Sequence, residues 1–381
     1  MSGRLDFVGA QIKKTAVNQA KKPRARRSKK GPGATIVDVA SAAKVSTATV
    51  SRVLSNPGKV LPATREHVLR VIATLNYSPN ASAKSLRTLE SRKLLVILSD
   101  ISNPFFALIL QGIEEQAARE GYAVFVGDTR VELEGDTQYS TMLPRREVDG
   151  MIVLSHGVPT AIKSWMQANA TIPPVVTAFM AGDERGDLSI SIDNAALATE
   201  VIEHLYGYGH RRIGVIAGMA QAKQMQMRIE AVKAFARRAK ILKDLSIEAG
   251  RFTIESGITC ATKLLSKVPR PTALMCFSDR LALGAIEGAR RLGLAVPRDL
   301  SIVGCDDLPT SAYLMPPLTT VSLPMTDVGR EAVRLLVARL RGTVNKPTAI
   351  VMPFKLMVRG STAVFKGAGS AVVGTDITTV V

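Results

Sequence analysis

The sequence predicts an α/β chain: a small all-α module in front of two α/β lobes. Three observations carry that expectation. A cluster of short, capped amphipathic helices opens near Thr35, apolar strand-like runs alternate with helical patterns after Arg92, and the alternation begins a second round at Ile213. The chain has 381 residues, enough for two or three domains of roughly 100 to 200 residues each.

The helical module is justified first. Thr35-Ile36-Val37-Asp38 resembles a capping box, which starts a short helix ending near Ala43. Lys44-Val45 then makes a turn, Ser46 offers a second N-cap, and Thr47 to Leu54 reads as a helix with Val50, Val53 and Leu54 inward. Pro62 is well placed to open a third helix. Two short helices joined at a tight turn form a helix-turn-helix pattern. Thr47, Ala48, Ser51 and Arg52 leave the outer face of the second helix small and polar with one guanidinium. That face suits insertion into a DNA major groove about 12 Å wide, whereas three plain amphipathic helices would not require it.

Beyond Arg92, Leu94 to Ser99 reads as a buried strand, Phe105 to Arg119 as a helix, and Tyr122 to Val126 and Met151 to Leu154 as strands. Ile213 to Ala217, Ala273 to Phe277 and Ser301 to Val303 repeat the pattern, each followed by a helical stretch. Such alternation means parallel sheets covered on both faces, with ligands expected beyond the carboxyl ends of the strands.

Charge grades along the chain. The net charge is +18, of which residues 1 to 34 carry +9, residues 35 to 92 carry +5 and the remainder +4. A basic leader and a basic helical module ahead of a nearly balanced body call for an anionic partner at the front. Cys260, Cys276 and Cys305 lack metal-ligand spacing, and an odd count argues against a disulfide framework. No apolar run approaches the roughly 18 residues of a membrane span and no secretory h-region opens the chain, so a soluble cytoplasmic, nucleoid-associated protein without metal or cofactor is expected.

The stretches Asp38-Val39-Ala40, Val45 through Leu54, Asn56-Pro57, Tyr77 through Ala81, Asp100 through Phe106, Gly209 through Ile213, Pro316 through Thr320 and Arg359 through Thr362 together resemble the LacI/GalR family of bacterial transcription regulators. The resemblance covers residues 35 to 362 in order and looks most like the cytidine-responsive branch. It implies a basic disordered leader over 1–34, a helix-turn-helix domain over 35–79 and a hinge helix with linker over 80–92. A periplasmic-binding-protein-like effector and dimerisation domain follows over 93–365, with a flexible tail over 366–381. Lobe 1 would comprise about 93–190 and 320–347 and lobe 2 about 191–319 and 348–365, with crossings near Ser191, Thr320 and Pro347.

The same resemblance places Thr47 and Ala48 at base-reading positions beside Arg52, with Thr49, Ser51, Asn56, Tyr77, Asn80 and Ala83 also toward DNA. Leu86 is the hinge leucine that wedges into the minor groove. Two-fold symmetry of a homodimer implies a palindromic operator. Phe105, Phe106, Ser155, Phe179, Arg228, Phe252, Ser278 and Asp306 fall at family pocket positions. Arg228 and Asp306 suit adjacent hydroxyls of a sugar or ribose, and Phe105-Phe106 a planar base. Phe179 stands where sugar-binding members often carry a polar residue and Ser278 where many have Asn, a mixture that fits a nucleoside better than a free hexose. Met225 and Met227 read as adaptable filler and His210 as structural. Two further departures are Lys44, at a turn position where members often have glycine, and Leu61, where a Ser would cap the third helix.

The motifs of serine hydrolases, P-loop enzymes and zinc peptidases are absent, so no enzyme is expected. The resemblance implies a repressor controlled by a small-molecule effector. A free-standing cytoplasmic ligand-binding protein and a nonspecific nucleic-acid-binding protein are the other classes the composition admits.

Overall fold

The structure is a computed structural model. It describes residues 34–78, 90–129, 139, 141–154, 158, 160–168, 174–179 and 187–366. The chain divides into two compact units, with the boundary between Lys84 and Ser85.

The first unit is three helices: α1 (Ile36–Ala42), α2 (Thr47–Ser55) and α3 (Pro62–Thr74). Local chemistry sets each start. Thr35 accepts from the Asp38 N–H while Asp38 accepts from the Thr35 N–H, which closes the capping box. The Ser46 hydroxyl accepts from the Thr49 N–H at 3.1 Å. At α3, Leu61 provides no side-chain cap and Pro62 opens the first turn. Lys44 adopts φ 52°, the left-handed conformation its turn position requires, at a cost of roughly 1 kcal/mol for a non-glycine. Val39, Ala40, Ala43, Val50, Val53 and Val68 close a small core. Leu54, expected inward, is exposed instead, because the inward arc of so short a helix is filled by Val50 and Val53.

The second unit holds two six-stranded sheets. The first contains β1 (Lys93–Leu98), β2 (Ala123–Asp128), β3 (Gly150–Leu154), β4 (Val175–Ala178), β5 (Leu188–Ile192) and β11 (Thr348–Met352), in the order β11-β5-β4-β3-β1-β2, all parallel. The second contains β6 (Ile213–Ala217), β7 (Leu245–Ala249), β8 (Ala273–Cys276), β9 (Ser301–Asp306), β10 (Thr319–Ser322) and β12 (Lys355–Met357), in the order β12-β10-β9-β8-β6-β7. Only β12, on the edge, runs antiparallel there. Inner strands such as β3 and β6 are apolar runs buried on both faces, which parallel strands demand. Each sheet reverses its strand order beside its first strand, β1 or β6, creating a crevice at the carboxyl ends.

The chain crosses between lobes after β5, after β10 and after β11. The first two crossings fall within a few residues of the sequence expectation. The third does not: residues 348–352, expected in lobe 2, pair with β5 in the sheet of lobe 1, and the crossing follows at Pro353-Phe354. Pro347 precedes an edge strand rather than a lobe change, the position where a strand tolerates proline.

The helices, in chain order, are α4 (Pro104–Glu120), α5 (Thr160–Gln167), α6 (Asn194–Gly207), α7 (Lys223–Arg238), α8 (Ile254–Leu265), α9 (Asp279–Arg291) and α10 (Met325–Leu340). Two pairs cross at glycines. A Cβ on Gly112 of α4 would strike the Thr326 backbone of α10, and one on Gly284 of α9 would strike the Ile254 carbonyl at the start of α8. His210 ties down the end of the described chain: its ring meets the hydroxyls of Thr272 and Ser301 at 3.0 Å and the Ala363 carbonyl at 3.1 Å. Gly284→Ala should force α8 and α9 apart and lower stability by about 1–3 kcal/mol, read as a reduced urea midpoint.

Candidate functional site

Two candidate surfaces stand out, one in each unit. On the first, α2 presents Thr47, Ala48 and Arg52 to solvent, with Thr49 and Ser51 half-buried beside them. The spacing explains this: with Val50 and Val53 fixed inward, Ala48 and Arg52, two residues either side of Val50 and four from each other, share the outer face. Thr49 serves the cap, its hydroxyl 2.9 Å from that of Ser46. Asn56 ends the helix, donating its N–H to the Arg52 carbonyl at 2.8 Å. Tyr77 packs against the helical core from beyond α3. Asn80, Ala83 and Leu86 lie outside the described residues.

On the second unit, the crevice between the two sheets encloses a cavity of about 440 Å³. Its walls are strand ends: Ser99 and Asp100 after β1, Thr129 after β2, Leu154 and Ala178 closing β3 and β4, then Met219, Arg251, Phe252, Phe277, Ser278 and Asp306 from the second sheet. Seven of the eight predicted effector positions line it, namely Phe105, Phe106, Phe179, Arg228, Phe252, Ser278 and Asp306. The eighth, Ser155, lies outside the described residues.

Lobe 1 contributes an aromatic wall. Asn103 caps α4 by accepting from the Phe105 N–H, and the ring of Phe105 then meets Phe106 at 5.2 Å and Phe179 at 5.0 Å, both edge to face. Phe179 sits at φ 60° immediately after β4, a strained conformation of the kind that collects at ligand sites. From lobe 2, Phe252 lies against Gly218, where any side chain would collide with the ring.

Lobe 2 supplies the polar set. Arg228 is 6 % exposed; its Nε donates to Asn194 Oδ1 at 2.8 Å and its Nη1 to the Phe277 carbonyl and Cys305 Sγ, both at 3.4 Å. Asn194 is itself held by donating to the Ile192 carbonyl. The guanidinium is thereby aimed by both α6 and the end of β8, and keeps donors for a ligand. Asp306 is 8 % exposed and lies at φ 122°. Burial, reinforced by the neighbouring Asp279 carboxyl, pushes its pKa well above the ordinary value; the Arg228 charge and the Asp279 N–H pull only partly against this. Asp306 therefore holds a proton more tightly than an exposed aspartate does. Ser278 lines the cavity, but its hydroxyl is engaged as the cap of α9, accepting from the Leu281 N–H.

Sequence reasoning missed Asp100, Asn103, Asn194, Gln224, Arg251 and Phe277 as lining residues. Asp100, Asn103 and Phe277 were within reach, because they stand at or just after strands correctly read. Asn194 and Gln224 belong to the first turns of α6 and α7, where nothing local marks a pocket. Gln224 Oε1 is buried without a partner among the described residues, an acceptor suited to an incoming N–H or O–H. Met225 is buried and lines the cavity, so it both fills and faces it, while Met227 is exposed. Among the described residues, no group of three or more His, Cys, Asp or Glu side chains is placed to hold a metal ion.

Each unit matches a known protein family. Residues 35–80 match the bacterial regulatory proteins of the lacI family and residues 202–362 a periplasmic binding protein-like domain. The HTH-type transcriptional repressor CytR of Escherichia coli (strain K12) is 38 % identical over 338 residues, covering 88 % of this chain and 98 % of that repressor. The chain belongs to the lacI family. As a lacI-family regulator it is also 32 % identical to the repressor PurR of Vibrio vulnificus, over 86 % of this chain and 98 % of PurR. Among solved structures, the lac repressor dimer bound to operator and an anti-inducer superposes with a TM-score of 0.77 at 29 % identity, covering 87 % of this chain and 99 % of that one. The ribose-bound lacI-family regulator of Enterococcus faecium gives 0.65 at 25 % identity, covering 72 % of this chain and 100 % of that one. These relatives are transcriptional regulators, and the enzyme class is set aside on that ground.

Burial of Asp306 has a measurable consequence. Its folded pKa is raised, so folding binds its proton more tightly; the stability cost is absent below the ordinary carboxylate pKa and builds as pH rises toward the folded value. Asp306→Asn should therefore raise the urea midpoint at neutral pH, with the gain vanishing near pH 4.

Proposed function

We propose that this lacI-family repressor binds a palindromic operator as a homodimer and that its effector is a nucleoside. One observation carries the effector reading: a single cavity sets three phenylalanines of one lobe against a buried arginine and a buried aspartate of the other. A flat base against the first wall and ribose hydroxyls against the second would use both. A free sugar, as in the ribose-bound relative, would use the polar set and leave the aromatic wall without a function.

On the operator, Arg52 donates to guanine O6 and N7 from α2, with Thr47 and Ala48 against neighbouring base edges and Leu86 entering the minor groove between base steps. Effector binding changes how the two lobes face each other and so alters operator affinity. The coupling is reciprocal: an effector that loosens DNA binds more weakly to the DNA-bound state. The protein acts in the cytoplasm, on the nucleoid. The basic leader adds sequence-independent attraction for phosphate.

Selection of bound duplexes from a random pool, followed by sequencing, tests the first half. Enrichment of a palindrome is expected, and Arg52→Ala should cost about 1–3 kcal/mol of discrimination at one symmetric position; an unchanged preference in that variant would remove Arg52 from the reading head. The enriched operator then serves to assay effectors. Cytidine is expected to change operator affinity, and Arg228→Ala to abolish the response without changing the selected sequence.

A further inference from the structure

The two lobes meet across the mouth of the cavity at one ion pair. Asp100 stands on the loop after β1 in lobe 1, and Arg280 on the first turn of α9 in lobe 2; Arg280 Nη1 donates to Asp100 Oδ2 at 3.3 Å, with both side chains about a fifth exposed. Among the described residues it is the salt bridge that runs from one lobe to the other; the remaining pairs stay within their own lobe. Asp100 is prepared for this role. Its Oδ1 accepts from both the N–H and the hydroxyl of Ser102, and the loop is pinned by the Ile101 N–H donating to Asp128 Oδ2. Arg280 is placed against local preference, since a cation in the first turn of a helix opposes the helix dipole. Helix formation does not explain it; the carboxylate of Asp100 across the cleft does, together with the charge of Glu255 at the start of α8.

We infer that Asp100 and Arg280 form a latch that holds the effector cleft closed before any effector arrives. The pair occupies Asp100, itself a lining residue, and sets the distance between the wall carrying Phe105 and the wall carrying Arg228 and Asp306, which makes Arg280 a positioning residue for effector binding. Because the pair is partly exposed, salt screens it, and effector affinity should weaken as ionic strength rises. The inference rests on the cleft being the effector site, but its test needs no effector, so the two ideas fail separately.

The test measures the distance between spin labels on the full-length protein at Lys163→Cys in lobe 1 and Lys243→Cys in lobe 2, both exposed, diluted with unlabelled chain; the native cysteines are buried. The parent should give one narrow distance population that broadens toward longer distances in high salt. Asp100→Asn and Arg280→Gln should each produce the same broadening in low salt, with the open population rising about fivefold, in line with partly exposed pairs. The reversed pair, Asp100→Arg with Arg280→Asp, should restore the narrow population. Single variants that superpose on the parent would overturn the latch, and so would a reversed pair that stays open, since each side chain would then act without the other.

Discussion

The buried carboxylate of Asp279 is the point on which the second lobe's ligand face depends. It is 3 % exposed and accepts from the Leu308 N–H at 2.8 Å, the Ser311 hydroxyl at 2.6 Å and the Thr320 hydroxyl at 2.5 Å. One side chain thereby joins the start of α9, the loop after β9 and the strand β10. Three good donors offset much of the desolvation that would otherwise make such a carboxylate costly. Gly304 must lack a side chain for Asp279 to fit there. The strand end and loop so held contain Asp306 and Asp307 at φ 122° and 54°, and Arg359 completes the restraint by pairing with Asp307 at 2.7 Å. The strained backbone that aims Asp306 into the cavity persists because three separate elements over-determine it.

What the sequence disclosed follows from how local each signal is. The helical module was legible nearly residue by residue, because capping hydroxyls, a proline at a first turn and a handful of valines act within a few positions of one another. The strands β1, β3, β6 and β8 were legible as uninterrupted apolar runs. β7 and β11 were not: β7 is half-buried and β11 alternates on an edge, so neither looks like an inner parallel strand. The misplaced third crossing has the same origin, since Pro347 reads as a break and only the register with β5 reveals a strand beyond it.

The cavity was legible where strands end, because a parallel sheet delivers its carboxyl termini to one crevice whatever the loops contain. It was illegible where tertiary contact decides. Asn194 matters because α6 packs on α7 and brings it within reach of Arg228, thirty-four positions away. Ser278 illustrates the converse: its place was right, and its hydroxyl is already committed to the helix it opens. Family resemblance supplied the roles that physical pattern alone left open, and the packing supplied the reason those side chains point as they do.

The three crossings between lobes have a mechanical meaning. A single connecting strand would let one lobe swivel about any axis through it. Three connections, leaving after β5, β10 and β11, with β5 beside β11 and β10 beside β12, oppose sliding and twisting more than a flexing of one lobe against the other. The lobes therefore behave as two plates on a door hinge. Any molecule gripping both plates, whatever its chemistry, acts on that one angle and stores its influence there as a torque.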